Sequence, residues 1–307
     1  MTDVVSFDGT RLAVTTWGAD DAPLVVLVHG LGMSTSSWGE VPERLASTCR
    51  VVAYELRGHA DSGPAGTGGY RLGSQAADLA AVLAHVRRDG EQATLVGHSL
   101  GGAILLEHVA EAGTGHVSGA VFAGSGGSAV TVPGLPAGGL PAPVQAVVRT
   151  GWLGLLLLGV RIGRGLRGWE SFTDRVSRRW AFAPHEPAEL VSRARADFLA
   201  TRPRALASTV LASVSHDGQR LAPALTVPAV VVHGGQDTEV SDEDARRLVE
   251  ALPDGELVRL PRSGHMLPLT DPGRWPTRSP RWSGGRRRSG PAERFPRRRR
   301  GQRAWSW

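Results

Sequence analysis

Short apolar segments alternate with segments of helical periodicity over the first 125 residues, and this alternation limits the possible folds more than any other feature. Residues 23–29 are almost continuously apolar and rich in β-branched side chains, which is typical of a strand buried on both faces. Residues 73–88 carry apolar side chains at helical spacing. Repeated strand–helix order predicts an α/β fold, with a mostly parallel, doubly wound sheet flanked by helices.

Eight segments are predicted to be strands of this sheet. They are residues 4–7, 11–17, 23–29, 51–54, 94–97, 119–123, 229–233 and 256–260. The first two flank an Asp-Gly pair at residues 8 and 9, which favours a β-hairpin. A helix is expected from about Ser99 to Ala112, directly after the fifth strand.

The strand–helix rhythm stops between residues 125 and 226, where a Gly/Pro-rich connector precedes helical segments at 144–160, 166–182 and 187–214. Helices inserted between two strands of one sheet form a cap. The predicted organisation is therefore a core in two parts, a helical cap and a tail. The boundaries are 1–124 and 227–272 for the core, 125–226 for the cap and 273–307 for the tail.

The positive net charge of the chain resides in its last 35 residues. That segment has 12 arginines and one acidic residue, a charge of +11, which leaves −5 for the rest of a chain whose total is +6. A charge confined to one end argues against a nucleic-acid-binding role for the folded domain. The tail lacks helical or strand periodicity and is predicted to be disordered. A shifted reading frame is the favoured explanation, and a basic arm for nucleic acid or anionic lipid is the alternative.

Cysteine content and the first residues bear on the compartment. Cys49 is the single cysteine, so no internal disulfide can form, and the start of the chain has neither a basic nor an apolar signal region. We therefore expect a cytoplasmic protein. The longest apolar run, residues 152–160, is too short to span a bilayer, which needs about 20 apolar residues. No membrane span is predicted.

The sequence GHSLG at residues 97–101 predicts a nucleophilic serine. It lies between a predicted strand and a predicted helix, as a G-x-S-x-G turn must. Gly97 and Gly101 allow the backbone to fold tightly around Ser99. The hydroxyl then projects at the N-terminus of the helix, whose dipole favours developing negative charge.

With this motif the chain resembles the α/β-hydrolase family of serine esterases and lipases. The sequence HGLG at residues 29–32 resembles the oxyanion loop of that family. The resemblance implies that the backbone amides of Leu31 and Leu100 form an oxyanion hole. His29, Gly30 and His98 are expected to support these loops. The sequence RGHADS at residues 57–62 resembles a further family loop, with an alanine replacing a glycine, and is interpreted as structural support.

The acid and the base follow in the chain order of the family, serine, aspartate, histidine. Asp237 lies in a loop after a buried strand, and His265 lies after the last strand. The imidazole can accept the serine proton only if a carboxylate holds its other nitrogen. The neighbouring acidic residues Glu239, Asp242 and Asp244 are instead expected to open the next helix, with Ser241 and Asp244 in a capping box.

The sequence offers no indication of a cofactor or a metal. Cysteines, histidines and carboxylates at zinc-ligand spacing are lacking, and Ser99 replaces the second glycine of a dinucleotide-binding motif.

The function predicted from these residues is hydrolysis of a carboxylic ester, or a related acyl bond, in a small and largely apolar substrate. Lactonases, perhydrolases and carbon–carbon bond hydrolases with the same triad remain alternatives. So do a non-catalytic ligand-binding protein and a nucleic-acid binder that uses the tail. Residues 152–158 are interpreted as packing within the cap, with an apolar acyl pocket as the alternative. The sequence does not indicate the oligomeric state.

Overall fold

Eight strands form one sheet in the computed structural model, which describes residues 2–66, 69–126, 170–213 and 216–274 and the single positions 144, 151, 154 and 158. The sheet order is β1-β2-β4-β3-β5-β6-β7-β8. β1 and β2 run antiparallel at one edge, and the other strands are parallel to one another. The strands are β1 (Thr2–Val5), β2 (Arg11–Trp17), β3 (Leu24–Val28), β4 (Arg50–Tyr54), β5 (Ala93–His98), β6 (Val117–Ala123), β7 (Ala229–Gly234) and β8 (Gly255–Leu260). The predicted α/β fold with a mostly parallel sheet is confirmed.

Helices cover both faces of the sheet. The helices are α1 (Val41–Leu45), α2 (Leu72–Val86), α3 (Leu100–Ala112), α4 (Glu170–Ala181), α5 (Ala188–Ala200), α6 (Pro203–Ser213), α7 (Gly218–Leu221), α8 (Asp242–Ala251) and α9 (Leu267–Thr270). Short 3-10 helices lie at Thr35–Trp38, Ala222–Ala224 and Pro272–Arg274.

The alternation of side chains along each strand divides the core into two layers. In β3, Leu24, Val26 and Val28 pack in the layer that contains side chains of α2, α3 and α8. Val25 and Leu27 point to the opposite face and pack with Trp38, Val41 and Leu267. Because β3 is buried on both faces, its sequence is continuously apolar rather than alternating.

The described part of the segment between β6 and β7 is helical, as predicted. The expected single helix at 187–214 is wrong in one respect, because the chain forms α5 and α6 with a break at Thr201 and Arg202. Thr201 has an extended backbone, with ψ of 137°. Pro203 then begins α6, since proline disfavours a helical conformation in the residue before it and is well placed in a first turn.

Several predicted features lie outside the described residues. They are the helix at 144–160 apart from single positions, the apolar run at 152–158, the start of the helix at 166–182, and the tail after Arg274. In the part of the chain that the structure does describe, no helix combines the length and the apolar character that crossing a bilayer requires.

Candidate active site

The three residues predicted to form a triad follow three strands at the same edge of the sheet. Ser99 follows β5, Asp237 follows β7 and His265 follows β8. β5, β6, β7 and β8 are consecutive parallel strands. The carboxyl ends of such strands lie along one edge, where α/β proteins bind their ligands.

Ser99 occupies a strained turn between β5 and α3. Its φ of 51° and ψ of −116° place a non-glycine residue in the positive-φ region. A Cβ at Gly97 would lie 2.5 Å from the carbonyl carbon of Gly101, and a Cβ at Gly101 would overlap the carbonyl oxygen of Val28. Glycine at both positions therefore lets the strand, the turn and the helix approach one another.

His265 is held by Asp237. Its Nδ1 lies 2.9 Å from Oδ2 of Asp237. The other carboxylate oxygen, Oδ1, accepts hydrogen bonds from the amides of Glu239 at 2.8 Å and Val240 at 3.0 Å. The carboxylate is thus fixed by its own loop, and it orients the imidazole.

Asp237 and His265 each shift the pKa of the other in the direction that favours its charged form. Burial raises the pKa of the Asp237 carboxyl, but the positive charge and hydrogen bond of His265 and the two loop amides outweigh burial and leave that pKa below its usual value. Burial likewise lowers the pKa of His265, but the charges of Asp237 and Glu239 and the hydrogen bond to Asp237 raise it to about 9. The two carboxylates therefore favour the protonated form of the imidazole.

Glu239 does not open a helix, and the expectation that it would is wrong. Helix α8 begins at Asp242, with Ser241 as its N-cap and the Asp244 amide donating to Ser241 Oγ at 3.1 Å. Glu239 lies earlier, in the loop after Asp237, and its Oε2 is 3.4 Å from Nε2 of His265. The predicted Ser241–Asp244 cap is present, while Asp242 binds His233 and Arg259.

Ser99 and His265 are not hydrogen-bonded to each other. Among the described residues, Ser99 Oγ makes no hydrogen bond to Nε2 of His265, the nitrogen that Glu239 contacts. The two residues nevertheless share a neighbour, because His98 precedes Ser99 and its Nε2 lies 3.1 Å from the backbone oxygen of His265.

His98 is a neutral structural histidine. Burial and the positive charge of His265 lower its pKa to about 3, so its Nε2–H donates to the carbonyl of His265. The two rings are 5.2 Å apart between centroids. His98 therefore fixes the backbone of the His265 loop.

The amides of Leu31 and Leu100 are available for a ligand. Neither donates a hydrogen bond to a described residue of the protein. Leu100 is the first residue of α3, where helix geometry leaves the amide without an intrahelical acceptor. In the Leu31 loop the next two amides are bound, Gly32 to Nε2 of His59 at 3.1 Å and Met33 to the oxygen of Gly30 at 3.2 Å.

The side chain of His29 fixes the loop at residues 29–32. This side chain is fully buried, and its Nε2 accepts a hydrogen bond from the Leu56 amide at 3.0 Å. A Cβ on Gly30 would lie 3.2 Å from Cβ of Ser99, so the loop passes directly beside the serine. His29 and Gly30 are thus located where loop support was predicted.

Arg57 anchors the neighbouring loop at residues 57–62, which the sequence analysis interpreted as structural support. It is buried and binds Asp78 through Nε at 2.6 Å and Asp8 through Nη1 at 3.0 Å. Arg202 reaches from the helical segment to the oxygen of Ser62 at 2.8 Å. This loop connects the sheet to that segment without touching His265.

The helical segment between β6 and β7 forms an apolar wall beside the Leu31 loop. A Cβ on Gly32 would overlap the ring of Phe198 and lie 3.2 Å from Leu206, so both side chains pack against that glycine. Phe182 and Val191 pack with Met266, next to His265.

Two acidic residues of the same segment, which the sequence analysis did not single out, bind loops of the site. Asp197 accepts hydrogen bonds from Ser34 at 2.8 Å and Ser36 at 2.7 Å. Glu186 accepts from the amide of Gly264 at 3.1 Å. Asp197 lies within α5 and Glu186 in the loop before that helix, and no local sequence pattern distinguishes them from acidic residues that face solvent.

Within the described ranges, no group of three or more histidine, cysteine, aspartate and glutamate side chains could hold a metal ion. Ser99, Asp237 and His265 thus lie at the same edge of the sheet, and the amides of Leu31 and Leu100 make no hydrogen bond to a described residue. Such a set can perform acyl transfer without further groups.

The chain resembles known proteins in its sequence. A family model described as the alpha/beta hydrolase family matches residues 25–275. A non-heme chloroperoxidase from Streptomyces lividans is 35% identical over 123 residues, which are 40% of this chain and 44% of that protein. A bifunctional esterase/perhydrolase from Acinetobacter calcoaceticus is 34% identical over 108 residues, which are 35% of this chain and 38% of that protein. The match thus spans less than half of either curated relative.

The fold has solved counterparts. An esterase from Exiguobacterium antarcticum superposes with a TM-score of 0.72 at 22% sequence identity, covering 87% of this chain and 92% of that chain.

Proposed function

Because the chain belongs to the alpha/beta hydrolase family and is related to esterases and perhydrolases, we propose that it is a serine-dependent carboxylesterase that forms an acyl-enzyme. The observation that carries the proposal is the convergence of Ser99, His265 and Asp237 at one edge of the sheet. Two free amides accompany them.

In the proposed reaction, neutral His265 takes the proton of Ser99 through Nε2 while Ser99 Oγ attacks the ester carbonyl. Asp237 holds Nδ1–H and stabilises the imidazolium that forms. His265 then protonates the leaving alcohol. Water, activated by the same imidazole, attacks the acyl-enzyme and releases the acid. The bond between Ser99 and His265 that this requires forms when substrate is bound, since such hydrogen bonds often tighten only in the complex.

The amides of Leu31 and Leu100 stabilise the oxyanion of the tetrahedral intermediate in this proposal. Both amides belong to backbone that is fixed before substrate arrives, Leu100 by α3 and Leu31 by the bound neighbours Gly32 and Met33. Donors that are fixed in advance need no reorganisation during the reaction.

The proposed substrate is small and largely apolar. Phe198 and Leu206 line the approach to the Leu31 loop, and Met266 is adjacent to His265. Apolar side chains with a few directed polar groups are typical of small-molecule sites.

The experiment is covalent labelling with a fluorophosphonate probe, together with turnover of p-nitrophenyl esters of increasing chain length. Ser99→Ala should abolish labelling and lower kcat by about 10⁴-fold or more, as removal of a nucleophile does in triad enzymes. Ser47→Ala, which removes an exposed serine hydroxyl bound to the oxygen of Arg44, should leave both unchanged. Labelling that survives in Ser99→Ala would refute the proposal, and a wild-type protein that is neither labelled nor active would support a ligand-binding role instead.

A second candidate is perhydrolysis, which the name of the Acinetobacter calcoaceticus relative favours. In this reaction hydrogen peroxide replaces water in the attack on the acyl-enzyme and yields a peracid. Measuring peracid formed from a short carboxylic ester and hydrogen peroxide would distinguish it. Peracid production that is lost in Ser99→Ala would support perhydrolysis, and hydrolysis without peracid would exclude it.

A further inference from the structure

His265 is contacted by a carboxylate at each of its ring nitrogens. Asp237 lies 2.9 Å from Nδ1, and Glu239 lies 3.4 Å from Nε2. Both acidic residues come from the same loop after β7, two positions apart. The side chain of His265 is 4% exposed and that of Glu239 is 18% exposed, so solvent screens this pair weakly.

The second contact concerns the nitrogen on which the proposed reaction depends. The 3.4 Å separation is an ion-pair contact rather than a hydrogen bond, and the negative charge of Glu239 favours a proton on Nε2. A protonated Nε2 cannot take the proton of Ser99. The resting arrangement is therefore an imidazolium between two carboxylates, and this imidazolium must lose a proton before the serine can react.

We infer that Glu239 is a positioning residue whose negative charge stabilises a proton on Nε2 of His265 and thereby moves the appearance of the reactive, neutral imidazole to higher pH. The expected effect on catalysis rests on the proposed function. The expected effect on the titration of His265 rests only on the contact between Glu239 and the imidazole.

The other groups around the imidazole do not replace Glu239. His98, at the end of β5, is neutral and donates to the backbone of His265. Ala181, at the end of α4, accepts the amide of His265 through its backbone oxygen. Glu186 binds the amide of Gly264 rather than the ring. Among the described residues, Asp237 and Glu239 are thus the two carboxylates that contact the ring.

The direction of the effect follows from charge. Burial alone lowers the pKa of an imidazole, and the two carboxylates reverse this and raise the pKa of His265 to about 9. Burial also raises the pKa of Glu239 itself. Removing the Glu239 charge leaves Asp237 as the remaining ionic partner, so the imidazole should lose its proton at lower pH.

The test is an NMR titration of the His265 ring in the wild type and in Glu239→Gln. The His265 signal is identified by its loss in His265→Gln. The titration midpoint should fall by about one pH unit or more in Glu239→Gln, since one nearby opposite charge shifts a pKa by about 1–3. In the same variant the acidic limb of the pH profile of kcat/KM should move to lower pH by the same amount.

Glu243→Gln is the matched control, because it removes a carboxylate from the same region that pairs with Arg247 at the surface. It should leave the His265 midpoint unchanged. A midpoint in Glu239→Gln equal to or above that of the wild type would overturn the inference. If Glu239→Gln does not fold, Glu239→Asp, which keeps the charge on a shorter side chain, should give a smaller decrease, and an unchanged midpoint there would overturn it too. The NMR titration does not need activity, so failure of the esterase proposal would be seen separately.

Discussion

Asp237 accepts three hydrogen bonds, one from His265 and two from the amides of Glu239 and Val240. The two oxygens have different tasks: Oδ1 fixes the loop and Oδ2 orients the imidazole. An amide in place of this carboxylate could keep the loop bonds and would then present an NH₂ group to Nδ1. Nδ1 would have to become an acceptor, and the proton of a neutral imidazole would move to Nε2.

We therefore predict that Asp237→Asn folds but loses activity. Ester turnover should fall by about 10⁴-fold, because Nε2–H cannot accept the serine proton. Asp242→Asn is the control, since Asp242 binds His233 and Arg259 and not His265. Steady-state kinetics and circular dichroism of both variants check this. If Asp242→Asn is the more damaging change, Asp237 is not the acid of the site.

At the scale of single residues, the sequence predicted the position of Ser99 but not the contact of Glu239 with His265. The position of Ser99 was predictable because its tight turn requires glycines two residues before and two residues after it, and both are visible in the local sequence. The contact of Glu239 with His265 was not, because Glu239, Asp242 and Asp244 share similar side-chain chemistry within six residues. Which of them faces the imidazole depends on the path of the loop after β7, and that path is set by packing on the loop after β8.

At the scale of elements, α3 has a glycine in a crowded environment and α2 has a glycine in an open, exposed one. Gly101, in the first turn of α3, faces the carbonyl oxygens of Val28 and His29, whereas Gly73, in the first turn of α2, is exposed with nothing near its missing Cβ. The same substitution should therefore have opposite consequences in the two helices.

We predict that Gly101→Ala destabilises the protein by about 1–3 kcal/mol or prevents folding, since overpacking forces backbone to move. Gly73→Ala should be neutral or should stabilise the protein by about 0.5–1 kcal/mol, because alanine favours the helix. Urea unfolding of both variants gives the comparison. Equal stability of the two would show that α3 does not approach β3 as closely as described.

Elements were predicted well where one periodicity persists over the whole segment. All eight strands and the helices after β4 and β5 have counterparts in the structure within a few residues of the predicted bounds. The segment 187–214, expected to be one helix, forms two helices because Pro203 interrupts it. The apolar periodicity nevertheless continues on both sides of Pro203. A local breaker can interrupt a helix without interrupting its amphipathic pattern, so the pattern alone overestimates helix length.

At the scale of the whole molecule, the charge is separated along the chain, with +11 in the last 35 residues and −5 elsewhere. All residues of the proposed mechanism precede this segment. We predict that a protein ending at Arg274 keeps the turnover per active site of the full chain, whereas retention on a polyanion column falls and loses its salt dependence. Active-site titration and salt-gradient elution of both forms test this. A truncated protein that folds without activity would show that the last residues contribute to the site.

The insertion between β6 and β7 has a consequence for how such a molecule can diversify. These strands are hydrogen-bonded neighbours although 105 residues separate Ala123 from Ala229. Their register is fixed by the sheet, and doubling the length of a flexible connection adds only about 0.6 kcal/mol of closure entropy. The length of this connection can therefore change without a change in the register of β6 and β7, provided that the contacts of Ala181 and Glu186 with the His265 loop are kept.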